Sequence, residues 1–342
     1  MRLATILDYS QGFKRAADQA ADLERAGLDV AFVAEAYGFD APSQMGYIAA
    51  RTERLQIGSG ILPIYSRTPA LIAQTAAGID ALSEGRAILG LGVSGPQVIE
   101  GWHGVAYTKP LERTREIVDI CRRVWRRERL TNDGLYPIPV PEGQGTGLGK
   151  PLKIITHPER ETIPIWLASL GPKNVEMTAE IADGWLPTLY MPERASDVWG
   201  PALARGAAKR LAGLGALEVA AGGMVAIGEG LEHLRDRGRA SMALYVGGMG
   251  ARGQNFYNNL ARRYGYEAEA TAVQDLYLDG KRDEAMAALP DELLEKTSLI
   301  GSEGYVRDRI AAYKDAGVTV LMVNPVGPDP LPVLEKLKEW TA

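Results

Sequence analysis

Short apolar runs alternate with longer amphipathic stretches along the whole chain, and no other feature of the sequence restricts the fold as strongly. Such runs read as parallel strands joined by helices, because a βαβ crossover covers both faces of a sheet. Eight of them fall at residues 3–8, 30–35, 55–61, 87–92, 165–169, 184–187, 218–227 and 319–323. Between the first two, Ala16, Ala20, Leu23 and Ala26 recur at helical spacing over residues 12–26, and Gly27 supplies a C-terminal stop. The same grammar, a helix ending at glycine with a strand directly after it, recurs at Ala316-Gly317-Val318-Thr319-Val320. Eight strand–helix units predict a closed (β/α)8 TIM barrel rather than an open doubly wound sheet, since closure leaves no edge strand to protect.

Two intervals depart from the regular unit length. Residues 131–163, after strand four, hold Asn132-Asp133-Gly134, Pro137, Pro139, Pro141 and a glycine-rich run over 143–149, which predicts a hairpin and a mobile loop. Residues 245–298, after strand seven, predict several short helices. Long insertions in a compact domain are commonly lids or binding elements. The chain of 342 residues is therefore read as a single TIM-barrel domain, 1–342, with two additions. Its 39 glycines and 20 prolines make about 17% turn-formers against roughly 12% in average usage.

Charge and cysteine content narrow the setting. Thirty-eight Lys and Arg against 43 Asp and Glu give a net charge of −5, which argues against a nucleic-acid partner. The local basic run Arg122, Arg123, Arg126, Arg127 and Arg129 reads as the wet face of a helix. A lone cysteine, Cys121, excludes an internal disulfide framework and reads as a small buried residue. No leader-like segment opens the sequence and no apolar stretch reaches 18 residues, so a cytoplasmic protein with no membrane partner is expected.

Several chemistries lack their required spacing. His103, His157 and His233 lie far apart and outside any zinc motif, so no metal site is predicted. There is no G-x-S-x-G elbow. Gly90-Leu91-Gly92-Val93-Ser94-Gly95 fits G-x-G-x-x-G, yet the acids about 20 residues on, Glu112 and Glu116, fall on a predicted helix. It reads instead as a wide loop at a barrel mouth. Barrel active sites form at the C-terminal ends of the strands. The residues there are Asp8, Glu35 with Tyr37, 60–63, 92–95, 168–171, 185–188 and Asn324. Two carboxylates, few bases and several glycines describe a site for a flat, mostly apolar ligand. Gly171-Pro172-Lys173 opens a helix whose free N–H groups, with Lys173, could receive a phosphate; a plain helix start is the alternative. Asp8 and Glu35 are candidate catalytic proton donors or acceptors, and the alternative is a carboxylate capping a neighbouring loop.

These residues also carry a likeness. The stretch 54–63, then Arg67-Thr68-Pro69, Gln74-Thr75-Ala76 and Leu82-Ser83-Glu84-Gly85-Arg86, resembles the luciferase-like monooxygenase superfamily. Gly90 to Gly95 and Ala182-Asp183-Gly184-Trp185 extend the match, and residues 96–102 with Gly247-Gly248-Met249-Gly250 and Asn255-Phe256-Tyr257 resemble its coenzyme F420 branch. The resemblance implies a deazaflavin (alternatively FMN) in the barrel mouth, backed by a bulge in strand three whose cis peptide would be Gly60–Ile61. It further implies cofactor contacts from Gly92, Val93, Ser94 and Gly95 and from Ala168, Ser169, Leu170 and Gly171, with Glu100 supporting a loop or taking part in chemistry. Sugar-phosphate dehydrogenases of the family carry an acid followed by histidine after strand two, where this chain has Glu35-Ala36-Tyr37. The likeness therefore leans toward the methylenetetrahydromethanopterin reductases.

The expected function is hydride transfer between the deazaflavin C5 and a small-molecule substrate, with Glu35 or Asp8 handling the proton. An FMN-dependent monooxygenase and a binder without turnover stand as alternatives. Tyr245, Phe256, Tyr257, Tyr264 and Tyr266 of the second insertion would close over the substrate. Arg67, Lys173, Arg252, Arg262 and Arg263 are candidates for an acidic cofactor tail. The resemblance also implies a homodimer through helices two and three.

Overall fold

A computed structural model of the chain describes residues 1–7, 12–327 and 329–341. Ten strands, all parallel, form the sheet: β1 Arg2–Leu7, β2 Val30–Val33, β3 Gln56–Ser59, β4 Leu62–Pro63, β5 Ala87–Gly92, β6 Ile165–Leu167, β7 Gly184–Trp185, β8 Glu218–Ile227, β9 Leu299–Gly301 and β10 Val320–Pro325. β10 pairs with β1 on one side and β8 on the other, which closes the ring. β3 and β4 are two halves of the third stave, so the barrel has the predicted eight.

The strands are mostly apolar because both faces are covered; all four residues of β2 and all six of β5 are buried. Ala4, Val30, Phe32, Ile88, Trp166, Ala220, Val320 and Met322 fill the lumen. Two lumen glycines leave room for rings: a Cβ at Gly58 would meet Phe32, and one at Gly184 would meet Trp166. At the N-terminal end Arg2 plugs the barrel, bonding to Gln56 and Glu218 beneath the Trp166 ring.

The chain between β3 and β4 departs from regular pairing. Gly58 pairs with Ile88 and Leu62 with Leu91, so four steps on one stave match three on the next. That extra residue is a β-bulge, and within it the Gly60–Ile61 peptide is cis. Ser59 Oγ holds the bulge against β5, donating to the Gly90 carbonyl at 2.7 Å and accepting from Gly90 N at 2.9 Å. A side chain at Gly90 would overlap the Ser59 carbonyl, which makes glycine obligatory there.

Helices cover the outside, started by sequence-readable caps. Asp40 caps the helix Ala41–Ala49 and Thr68 caps Pro69–Leu82, each with proline in the first turn. The helix expected over 12–26 is broken at Gln19 into Phe13–Asp18 and Ala20–Arg25, and Gly27 ends it at φ +99° as expected. Cys121 is fully buried in the helix Pro110–Trp125. The basic run lies in the last turn and just beyond it, with Arg122 paired to Asp183 and Arg123 and Arg126 both paired to Glu128.

The two insertions differ from expectation in detail. In 131–163 the hairpin is reduced to one isolated antiparallel bridge, Asn132 to Ile138. Glu116 replaces the missing ladder, accepting from Leu135 N, Tyr136 N and the Asn132 amide, and a Cβ at Gly134 would overlap its carboxylate. Farther on, Arg160 ties the segment to the fully buried Asp80. The second insertion is helical from Glu232, earlier than predicted, and runs to Lys296. It contains a π-helical turn, Leu244–Gly248, whose spare carbonyls are taken by two buried amides: Asn255 donates to Tyr245 O and Val246 O, and Asn258 to Val246 O. β9, which the sequence pattern did not reveal, follows and extends the top of β8 at Val225–Ile227.

Candidate active site at the barrel mouth

The C-terminal ends of the staves bring most of the expected residues together. Ile61 and Val93 are half-buried there, with Leu186 and Asn324, and Ile6 is exposed. Gly60 and Gly92 serve the protein's own packing: a Cβ at Gly60 would press on Phe32, and one at Gly92 on the Ile61 side chain. Gly171 has open space where a side chain would project, and Gly95 nearly so. Ser94 lies at φ +56°, an unusual conformation for a residue with a side chain, and turns the loop after β5.

After β6, residues 168–171 are pinned from below. Trp185 Nε1 donates to Ser169 O at 2.9 Å, Trp199 Nε1 to Leu170 O at 3.3 Å, and Ser169 Oγ bonds Thr178 Oγ1 at 2.8 Å. Trp185, Tyr190 and Trp199 pack ring against ring beneath, with Tyr190 and Trp199 stacked at 5.2 Å. With these carbonyls occupied, the chain enters the helix Pro172–Ile181 at Gly171, whose first turn has no side-chain cap. Lys173 is exposed beside those free N–H groups. Trp185 is among the expected strand-end residues and Trp199 is not, and the acceptors of both indoles, being main chain, leave no mark in the sequence.

Glu35 follows β2 and is almost wholly buried. Arg67 grips it with two bonds, 2.5 and 2.8 Å, and Ala41 N donates to it at 2.8 Å. The bond to Glu35 raises the Arg67 guanidinium above its ordinary value despite burial. Both carboxylate oxygens are thus engaged by loop groups, which is the capping alternative considered for this residue. Asp8 lies outside the described residues. Glu100 accepts from Tyr107 N at 3.0 Å and so supports the loop after β5. In that loop Tyr107 stacks on Tyr65 at 5.2 Å, and burial pushes both phenols up to about 12.

Most basic candidates for a cofactor tail are engaged elsewhere. Arg67 holds Glu35, Arg252 pairs with Asp275 and Asp279, and Arg262 with Asn258 and Thr271. Arg263 donates to Leu170 O and Val198 O, latching the second insertion onto the β6 loop. Of the proposed lid tyrosines, Tyr264 is buried, bonding Leu189 O and Met191 N, and belongs to the scaffold. Tyr245 and Tyr257 meet edge-on at 4.7 Å, while Phe256 is exposed.

A closed parallel barrel with a cis-peptide bulge in its third stave, extended by a helical insertion after the seventh, is a specific combination. Residues 1–320 match the luciferase-like monooxygenase family. The chain belongs to that family. It is 42% identical over 331 residues to a Mycobacterium tuberculosis protein named as a coenzyme F420-dependent oxidoreductase, covering 95% of each chain. It is 27% identical to the 5,10-methylenetetrahydromethanopterin reductase of Archaeoglobus fulgidus, covering 90% of this chain and 88% of that one. Among solved structures, the F420-dependent tetrahydromethanopterin reductase of Methanopyrus kandleri superposes with a TM-score of 0.82 at 20% identity, covering 99% of this chain and 97% of the other.

Proposed function

We propose that this protein is an F420-dependent oxidoreductase that transfers a hydride between the deazaflavin and an organic substrate. The observation that carries the reading is the pairing of two features at one mouth. These are the Gly60–Ile61 bulge on the third stave and the uncapped helix start at Gly171–Lys173 after β6, with only β5 between the two staves. Half-buried apolar side chains between them suit a planar ring, and the open N–H groups suit an anion. The chemistry the deazaflavin supplies when bound is two-electron hydride transfer at C5.

The chain's own contribution is positioning. Ile61 and Val93 would support the ring face, and residues 92–95 and 168–171 its side chain, while Lys173 and the Gly171–Pro172 turn would hold its phosphate. Glu35, saturated by Arg67 and Ala41, is assigned to fixing the β2 loop. Proton exchange with the substrate then falls to Asp8, the other strand-end carboxylate of the sequence.

We also infer a cytoplasmic homodimer. The outward face of the helix Pro69–Leu82 carries Leu71, Gln74, Gly78 and Leu82 and no charged side chain, and Gly78 has open space above it. Such a face suits close packing against a second copy. Titrating the purified protein with F420 and with FMN, followed by fluorescence, tests the cofactor; tight FMN binding without F420 binding overturns the reading. Asp8→Asn should suppress turnover at unchanged F420 affinity.

A further inference from the structure

We propose that the substrate is an apolar, uncharged molecule recognised by an aromatic rim on the β2–β5 side of the mouth. The proposal rests on the oxidoreductase reading and adds the substrate class to it. The loops after β2, β4 and β5 form one continuous rim, because Arg67 bridges back to Glu35 and Tyr65 stacks forward on Tyr107 at 5.2 Å. This rim is fixed, yet it leaves its largest apolar side chains in water. Tyr37, Phe39 and Trp102 are 68%, 69% and 65% exposed, and the Phe39 ring is braced edge-on by Phe13 at 5.3 Å. Single exposed aromatics are ordinary, but two after β2 and one after β5, on loops tied together through Arg67 and Tyr65, give the rim apolar side chains on either side of the third stave that suit an apolar occupant.

The electrostatics point the same way. Arg67 and Glu35 neutralise each other with side chains only 14% and 6% exposed. Asp40 is used as a helix cap, and Glu100 receives the Tyr107 N–H. With Arg67 already held by Glu35, a carboxylate or phosphate laid against Phe39 and Trp102 would lose hydration, whereas an alkyl or ring system would lose nothing. Leu244, Met249 and Phe256 of the second insertion are exposed as well. An extended lipophilic substrate fits this better than a sugar phosphate or an amino acid.

The test uses the full chain loaded with F420. Calorimetric titration with 3-alkyl-2-cyclohexenones of rising chain length should show affinity increasing by about threefold to fourfold per methylene that reaches the rim. An analogue ending in a carboxylate should bind at least tenfold more weakly than its uncharged counterpart. Nile red affinity should fall at least fivefold in Phe39→Ser and in Trp102→Ser. It should hold in Ile155→Ser, which removes a still more exposed side chain from the first insertion. Equal affinity for charged and uncharged ligands, or no response to chain length in the unmodified protein, overturns the proposal. So does Nile red binding that ignores both rim variants. If F420 itself fails to bind, the oxidoreductase reading falls first; if F420 binds and the rim is silent, only the substrate class falls.

Discussion

On the β6–β7 side of the mouth the backbone is held from beneath by donors that address main-chain carbonyls: Trp185 to Ser169, Trp199 and Arg263 to Leu170. On the β2–β5 side the loops are held by side chains acting on side chains, through the Glu35–Arg67 pair and the Tyr65–Tyr107 stack. A main-chain cradle presents N–H groups whatever side chains surround it. It suits a ligand that stays constant while the rest of the protein drifts. A rim made of side chains can be rebuilt one substitution at a time, which suits a ligand that differs between relatives. Under the proposed function the cofactor's phosphate end falls to the first side and the substrate rim to the second, with the ring resting on Ile61 and Val93.

The largest effect is expected from Arg67→Ala. It leaves the buried Glu35 without its guanidinium, and breaking such a pair costs about 3 kcal/mol. Urea unfolding should show that loss, and Nile red binding should weaken while F420 affinity stays within about twofold. Equal damage to both ligands would erase the distinction between the two sides. Trp199→Phe removes one hydrogen bond, worth about 1 kcal/mol, and shrinks a fully buried indole to a phenyl ring. Here F420 affinity should drop several-fold with Nile red binding unchanged, and the reverse pattern would contradict the assignment. Lys173→Ala, at an exposed position, should weaken F420 by about twofold to threefold at low salt and hardly at all in 1 M salt.

The smallest effect near neutrality concerns acid. Burial alone would raise the Glu116 carboxyl, but the bonds from Leu135 N, the Asn132 amide and Tyr136 N bring it below its ordinary value. A group lowered in the folded state adds stability above the ordinary carboxylate range and loses it as pH falls through the folded value. Tyr136, placed by Glu116, lies against Arg113, which lies against Tyr65, so the loss reaches the β2–β5 side. Binding of Nile red should therefore be flat from pH 7 to 5 and decline below the carboxylate range, ahead of F420 binding. Simultaneous decline would show that the two sides are mechanically joined.

Much of the barrel was legible because parallel strands buried on both faces must be apolar; β5 and β8 have the predicted limits, 87–92 and 218–227. β9 escaped notice because three residues following a helical run carry no periodicity. The split at Gln19 likewise leaves the apolar spacing intact. Within the site, the bulge was readable from glycine placement together with the family likeness. Glu35 and Arg67 were each read alone, as a proton carrier and a tail contact. Thirty-two residues separate them, and only the folded β2 and β4 loops bring them together. The indole contacts span 16 and 29 residues and end on carbonyls, which every residue has.

Cys121 is the only cysteine in the chain; it is fully buried, and burial raises its thiol further above the reactive range. The native surface is therefore silent to maleimides and related reagents. A cysteine introduced at Trp102 or Phe256 would be the one group labelled, so a fluorophore or spin label could report rim and insertion movements separately in an otherwise unaltered protein.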